Sequence, residues 1–256
     1  MQNNTFSTLF VGQNLIRLSA VDSTNNFLKL MVSNSEPLPE GTVIMADDQF
    51  AGRGQQNNVW HSRAGLNLTF SIFLRPFFLL PSNQFMLNIA VSTAINKALE
   101  LFLPEGVKVK WPNDIFFGDR KLGGVLIENS LQGNLIKTSI IGIGINVNQR
   151  DFNVKKVGAA ISMCEILQQD VDLVKLLSEI CLQMEQQYFL LKACNYDVLF
   201  REYLDRLYRF EQKALYKDDN GIFEGKIVDV SSNGQLTIAA GGQNRNYNFK
   251  EVEFIF

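Results

Sequence analysis

The sequence predicts an α+β fold: a mixed or antiparallel central sheet with helices, followed by a small β-rich, barrel-like module. Three observations carry that reading. The apolar runs Val107–Phe117, Gly124–Leu131 and Leu135–Asn148 follow one another in hairpin-like succession, with Gln132-Gly133-Asn134 as a turn, so no helix separates them as a βαβ repeat would require. Pro81–Leu103 reads as one long helix, with apolar residues at Phe85, Ile89, Ala90, Ala94, Ile95, Ala98 and Leu99, a start at Ser82 and a stop at Pro104 and Gly106. From Lys213 to Phe256 the chain changes to short strands split by the turns DDNG, SSNG and GGQN. A module that small is marginal alone and is expected to dock on the larger part. The chain is thus divided into residues 1–210 and 211–256.

Taken in order, Leu15–Ala20 is a short strand ending at VDSTNNFL. Asp22, Ser23 and Thr24 are helix-capping types, and Phe27, Leu28, Leu30 and Met31 follow with helical spacing. Ser23–Asn26 therefore opens a helix, where backbone N–H groups and hydroxyls can hold a polar ligand, although capping alone also explains these residues. Thr42–Gln49 is a strand. FAGRGQQNNVWHSRAG is the longest polar, glycine-bearing loop, of a composition that is either disordered or ordered by a ligand. Arg53 supplies a fork of donors for anions and Trp60 a stacking face. The loop is neither a Walker A loop nor a dinucleotide GxGxxG. Leu66–Arg75 is a strand with Leu66, Leu68, Phe70 and Ile72 alternating. After Asn148, Ile161–Gln168, Val171–Lys192 and Tyr196–Phe210 are helical, and their Leu, Met and Tyr stripes are core positions rather than a cofactor box.

Composition narrows the class. The 256 residues, 46% of them hydrophobic, suffice for one large domain plus a small one with a sizeable core. A net charge of −2 and a pI near 5.6 argue against a strongly electrostatic nucleic-acid binder. Cys164, Cys181 and Cys194 form no CxxC and read as buried free thiols in a reducing compartment. The single histidine, His61, excludes multi-histidine metal sites and triads needing a second histidine, and is read as a surface or packing residue. Neither a signal peptide nor a membrane span is recognisable, so a cytoplasmic soluble protein is expected.

The chemistry concentrates between Lys110 and Asn148, KWPNDIFFGDRKLGGVLIENSLQGNLIKTSIIGIGINVN. Two polar segments read as loops, WPND and DRKLGG, and the glycine-bearing GIGIN sit among β-like runs, at strand ends where α/β scaffolds place binding groups. Lys121 is read as leaving the turn Gly118-Asp119-Arg120 and entering Leu122-Gly123-Gly124, where a backbone or ligand can approach closely. It is either a fixed cation for a carboxylate or phosphate or a solvated hairpin lysine, and the segment alone leaves both open.

These motifs in order, STNN, GRG…W, KWPND, KLGG and GIGIN, followed by the β-rich tail, resemble the biotin–protein ligases, that is, the biotin–[acetyl-CoA-carboxylase] ligases. The likeness runs over nearly the whole chain. It implies a class II synthetase-like catalytic domain and an SH3-like C-terminal domain. It also implies a two-step reaction in which biotin and ATP with Mg2+ give biotinyl-5′-AMP, from which a lysine of a biotin carboxyl carrier domain takes the biotinyl group. Lipoate or octanoate ligases of the same fold are the alternative. By resemblance Lys121 and Arg53 are the catalytic cations. Ser23, Thr24, Asn25, Gln49, Gly52, Arg53, Lys121, Gly124 and Gly142 match biotin-binding positions. Gln55, Asn58, Trp60, Lys110, Asn113 and Asn146 match nucleotide-binding ones, with Lys110 and Asp114 also facing pyrophosphate, metal or the incoming lysine. The chain reads GRGQQNN where many members carry GRGRRGR, so Gln55 and Asn58 replace arginines and Asn57 a glycine. The STNN segment begins near residue 23, which leaves no room ahead of it for a DNA-binding module. The partners implied are biotin, ATP and the carrier domain, with neither DNA nor membrane, and with a homodimer left open.

Overall fold

The computed structural model describes residues 6–33, 37–55, 58–150, 152 and 160–256. Its strands are β1 (Leu15–Val21), β2 (Val43–Gln49), β3 (Leu68–Leu74), β4 (Val107–Lys110), β5 (Asp114–Phe117), β6 (Arg120–Gln132), β7 (Leu135–Ile145), β8 (Lys213–Asp218), β9 (Gly221–Val230), β10 (Leu236–Ala240), β11 (Gln243–Tyr247) and β12 (Glu253–Phe254). The helices are α1 (Thr24–Ser33), α2 (Gln84–Glu100), α3 (Met163–Leu167), α4 (Leu173–Lys192) and α5 (Tyr196–Arg206). Seven strands form the main sheet in the order β1-β2-β3-β7-β6-β5-β4. Its β1–β2 pair is parallel and the other pairs are antiparallel, so the sheet is mixed, as the hairpin succession predicts. Strands β11-β10-β9-β8-β12 make a separate antiparallel sheet.

Strand alternation assigns the two faces of the main sheet different work. Leu68, Phe70, Ile72 and Leu74 of β3, Ile141, Ile143 and Ile145 of β7, Ile115 of β5 and Val107 and Val109 of β4 join one large core with α2, α4 and α5. On the other face Leu28, Ile44, Phe73 and Ile140 are the buried members of a smaller apolar cluster at α1, joined by part-buried residues such as Ile16, Leu18 and Phe27. The rest of that face, including Ser71, Gly142, Gly144, Asp114 and Lys110, is left for polar work.

Four expectations are corrected. Val107–Phe117 is not one strand but the hairpin β4–β5, since Pro112 has no N–H for a ladder; the chain turns at Trp111-Pro112-Asn113 and Lys110 pairs with Asp114. DRKLGG is not a loop: only Gly118 and Asp119 turn, Phe117 already pairs with Arg120, and Lys121 lies inside β6. The long helix begins as a 3₁₀ turn at Pro81–Asn83 and ends at Glu100, with no side-chain cap at Asn83, so Ser82 is not its start. All three cysteines are free, but only Cys164 and Cys181 are buried; Cys194 is exposed in the turn after α4, its backbone at φ 56°. His61 is exposed, in keeping with a surface residue.

The small sheet docks on the large core. The Trp111 indole N–H donates to the Gly234 carbonyl at 2.9 Å, and Phe249 packs against both Trp111 and Phe85 at centroid distances of 5.2 and 6.1 Å.

Candidate active site

The polar face of the main sheet opens into a cleft of about 770 Å³. Lys121 enters it through a fault in strand pairing. Asp114 pairs with Gly124 and Ile115 with Gly123, but Phe116 pairs with Lys121, so Leu122 is an extra residue opposite the Ile115–Phe116 step. Without that bulge Lys121, three residues from Gly124, would point to the opposite face. With it, Leu122 drops into the core, fully buried, and Lys121 rises beside Gly124 and Asp114. Lys121 Nζ lies 2.6 Å from Asp114 Oδ1, and a Cβ at Gly124 would stand 3.3 Å from that oxygen and 3.6 Å from Nζ. The pair is part-exposed and held loosely enough for an incoming anion to compete for the ammonium.

One end of the cleft is a buried polar chamber. Ser71 Oγ of β3 donates to Asn25 Oδ1 (2.6 Å) and shares a hydrogen bond with the Thr24 hydroxyl (2.7 Å). Gln49 Oε1 at the end of β2 accepts from the Thr24 N–H at 2.9 Å, and Ser23, Thr24 and Asn25 are all buried. Gly142 of β7 lies under this group, where a Cβ would come within 2.5 Å of Asn25 Oδ1. Asn25 Nδ2 donates to Glu128 Oε2 at 2.8 Å, and Glu128 also holds Lys29 at 2.6 Å and Arg53 at 2.9 Å. Burial pulls the Glu128 carboxyl upward, but the bonds from Lys29 and Asn25 and the nearby charges outweigh it and hold the group below the usual glutamate value. Arg53 also donates to Asn26 Oδ1 at 2.8 Å, so its guanidinium lies on the α1–β6 flank of the chamber. Gly52 is buried beneath the loop, where a Cβ would collide with the Trp60 carbonyl oxygen and meet Gln49 Nε2 at 2.7 Å.

Gln55, Asn58 and Trp60 line the other end, on a loop closed by an Arg53–Val59 bridge and by the Trp60 N–H donating to the Gly52 carbonyl at 2.9 Å. The Trp60 indole rests on Gly144, so close that a Cβ there would lie 2.5 Å from Cε2. Its buried indole N–H finds no acceptor among the described residues. Asn57 falls outside the described residues. Asn113 lines the cleft and its amide N–H bonds the Val125 carbonyl, while the Val125 N–H returns a bond to the Asn113 carbonyl at 3.1 Å. Asn146 is buried behind β6, donating to the Ile161 carbonyl at 3.2 Å and the Lys121 carbonyl at 3.4 Å; it and Gly52 are not among the cleft-lining residues.

Lys110 and Asp114 close this end together with residues the sequence reading did not single out: Lys250, Val252 and Glu253 through Phe256 of the small sheet. Burial pushes the Lys110 ammonium below the usual lysine value; Asp114 opposes the shift, and Lys121 and Arg209 add to it. Glu128, Ser71 and Gly144 were also missed. The lone acid in VLIEN and the alternation in EFIF are the signals that mark Glu128 and the tail. Among the described residues no three His, Cys, Asp or Glu cluster as a metal centre.

A buried polar chamber is thus joined across Lys121 to an end that carries Lys110. Residues 18–146 match the biotin/lipoate A/B protein ligase family. Over 240 residues the chain is 30% identical to the bifunctional ligase/repressor BirA of Bacillus spizizenii, covering 90% of this chain and 71% of the relative. It is 34% identical to the biotin–[acetyl-CoA-carboxylase] ligase of Paracoccus denitrificans over 134 residues, 51% of this chain and 53% of the relative. The structure superposes on the Aquifex aeolicus biotin protein ligase in complex with biotin and ATP with a TM-score of 0.78 and 28% identity, covering 94% of this chain and 97% of that one. The chain belongs to the biotin/lipoate A/B protein ligase family and, within it, is a biotin–protein ligase.

Proposed function

We propose that this chain activates biotin with ATP and delivers the biotinyl group to a lysine of a biotin carboxyl carrier domain. The observation that carries the reading is the bulge at Leu122, which sets Lys121 at the junction of the chamber and the anion-facing end. Two anions repel unless a cation stands between them. Lys121, on releasing Asp114, donates to the biotin carboxylate and to the α-phosphate oxygens, and so aligns them. A carboxylate oxygen attacks the α-phosphorus, the bond to the bridging oxygen breaks, and pyrophosphate leaves with that electron pair. In the second step the carrier amine attacks the mixed-anhydride carbonyl, the bond to the AMP oxygen breaks, and the amine proton is released.

Ser23, Thr24, Asn25, Gln49 and Gly142 form the biotin end, with Gly52 and Gly124 leaving space for it. Arg53, now on Glu128, guards the chamber mouth. Trp60, Gln55, Asn58 and Lys110 take the nucleotide, with Trp60 as the stacking face. We assign Asn113 and Asn146 to positioning, because their amides already bond main-chain carbonyls of β6 and its neighbour. Magnesium rests largely on phosphate and water and asks for one or two protein carboxylates, which Asp114 of the cleft suits. Asp114 would hold the ion beside the triphosphate, where it would neutralise phosphate charge. We also read the 211–256 sheet as SH3-like, the 1–210 part as class II synthetase-like, and the protein as cytoplasmic. Among the described residues no helix is long and apolar enough to cross a membrane.

Exchange of labelled pyrophosphate into ATP, run with biotin and separately with lipoate, tests the reading. Biotin-dependent exchange is expected. Exchange driven by lipoate alone would overturn it.

A further inference from the structure

Lys110 is held differently from its neighbours in the cleft. Lys121 pairs with Asp114 and Arg53 with Glu128, whereas among the described residues no carboxylate lies within 4.0 Å of the Lys110 ammonium. It sits instead among three aromatic rings, 5.0 Å from the centroid of Phe116, 5.0 Å from Phe254 and 5.3 Å from Phe256. Phe116 belongs to β5; the other two come from the end of the small sheet. The intervening Ile255 is fixed by its backbone: its N–H donates to the Leu215 carbonyl at 3.0 Å, and its own carbonyl accepts from Arg209 Nη1 at 2.8 Å. Extended backbone alternates its side chains, so Phe254 and Phe256 share the face that meets Lys110. Each ring is itself backed. Phe256 stacks on Phe116 at 6.0 Å and 15°, and Tyr216 meets Phe254 edge-on at 5.3 Å.

The chemistry of that cage is specific. A carboxylate would neutralise the ammonium and occupy its N–H groups. Aromatic faces attract the charge yet are poor hydrogen-bond acceptors, so the donors stay available to an oxyanion. We propose that Phe254 and Phe256 are positioning residues that, with Phe116, hold Lys110 as a preset donor for the phosphate oxygens of the nucleoside triphosphate. The small sheet thereby takes part in nucleotide binding and not only in covering the cleft. This rests on the nucleotide reading given above for this end of the cleft.

The test uses full-length protein. Phe256→Leu keeps apolar bulk but removes the π face, and Phe256→Tyr restores a face; Phe256 is 44% exposed, so both changes suit the fold. ATP affinity is measured by calorimetry without biotin, and KM for ATP and for biotin by pyrophosphate exchange. Phe256→Leu is expected to weaken ATP binding about three- to tenfold. The KM for biotin stays put, and Phe256→Tyr recovers most of the loss. In a Lys110→Met background Phe256→Leu adds nothing further, since the ring acts through the ammonium. Unchanged ATP affinity in Phe256→Leu, or the same loss with and without Lys110, overturns the cage. If the wild type exchanges no pyrophosphate but the ATP affinities still follow this pattern, the biotin reading falls and the cage stands.

Discussion

Lys121 owes its place to its neighbour. Leu122 is the residue the core demands, and pulling it inward costs the ladder one position, which turns Lys121 to the cleft. If Lys121 aligns the carboxylate and the α-phosphate, losing it removes a donor present only as charge builds at the reacting centre. Lys121→Ala is expected to lower the adenylation rate about 10²–10³-fold, the range seen when one such donor is removed. The fold should survive, because the side chain is part-exposed and leaves only Asp114 without its pair. A folded variant making biotinyl-AMP at the parental rate would exclude this role. Gly144 offers a second residue-scale test. A methyl there meets Trp60 first, its three nearest heavy atoms all belonging to the indole at 2.5–2.9 Å. Gly144→Ala should therefore push the indole away with little loss of melting temperature. Base–aromatic stacking contributes about 1–3 kcal/mol, so the KM for ATP should rise by about five- to 150-fold. An unchanged KM for ATP would take Trp60 out of the nucleotide site.

At the scale of elements, the segment between Phe50 and Gly65 joins the two ends of the cleft. Its ends are tied to the sheet by the Phe50–Val21, Ala51–Asp22 and Gly65–Asp47 backbone bonds, and its interior by the Gly52–Trp60 and Gly54–Asn58 backbone bonds, the Arg63 N–H on Gln149 and the hold of Glu128 and Asn26 on Arg53. Arg53 and Arg63 are exposed and offer trypsin two cutting sites. Biotin plus ATP should slow cleavage at both by ordering the loop over the ligands, whereas either ligand in a Lys121→Ala background should protect less. Identical digestion with and without ligands would count against closure. The elements themselves were largely legible. Alternation in Leu66–Ile72 and capping types at Asp22–Thr24 correctly gave β3 and α1, because these are patterns local to one stretch of chain. The β4–β5 turn and the bulge were not. KWPND reads as loop chemistry within a longer strand, and a bulge exists only between two strands, so Leu122 carries no local sign of it.

For the whole molecule, the polar chamber of the cleft is built from motifs that are separate in sequence but each recognisable, and most of them stand out in the sequence. The wall made by Lys250–Phe256 was unreadable in the same way, since it reaches the cleft only when the small sheet docks. That docking turns on Gly234. Its backbone is at φ 93°, a region most side chains avoid, and a Cβ there would lie 2.7 Å from the Phe85 ring; its carbonyl also takes the Trp111 indole N–H. Phe85 is in the core and cannot yield freely, so Gly234→Ala combines backbone strain with overpacking. Each of those costs about 1–3 kcal/mol. At roughly 2–4 °C per kcal/mol for a chain of this size, a fall of several degrees in melting temperature is expected. Gly234 is not among the cleft-lining residues, although it bonds Trp111, which is; the tilt of the small sheet should carry Phe254 and Phe256 with it and raise the KM for ATP while sparing that for biotin. Thermal denaturation and pyrophosphate exchange on the same preparation decide the matter. A lower melting temperature with both KM values unchanged would mean that the small sheet stabilises the molecule without shaping its nucleotide end.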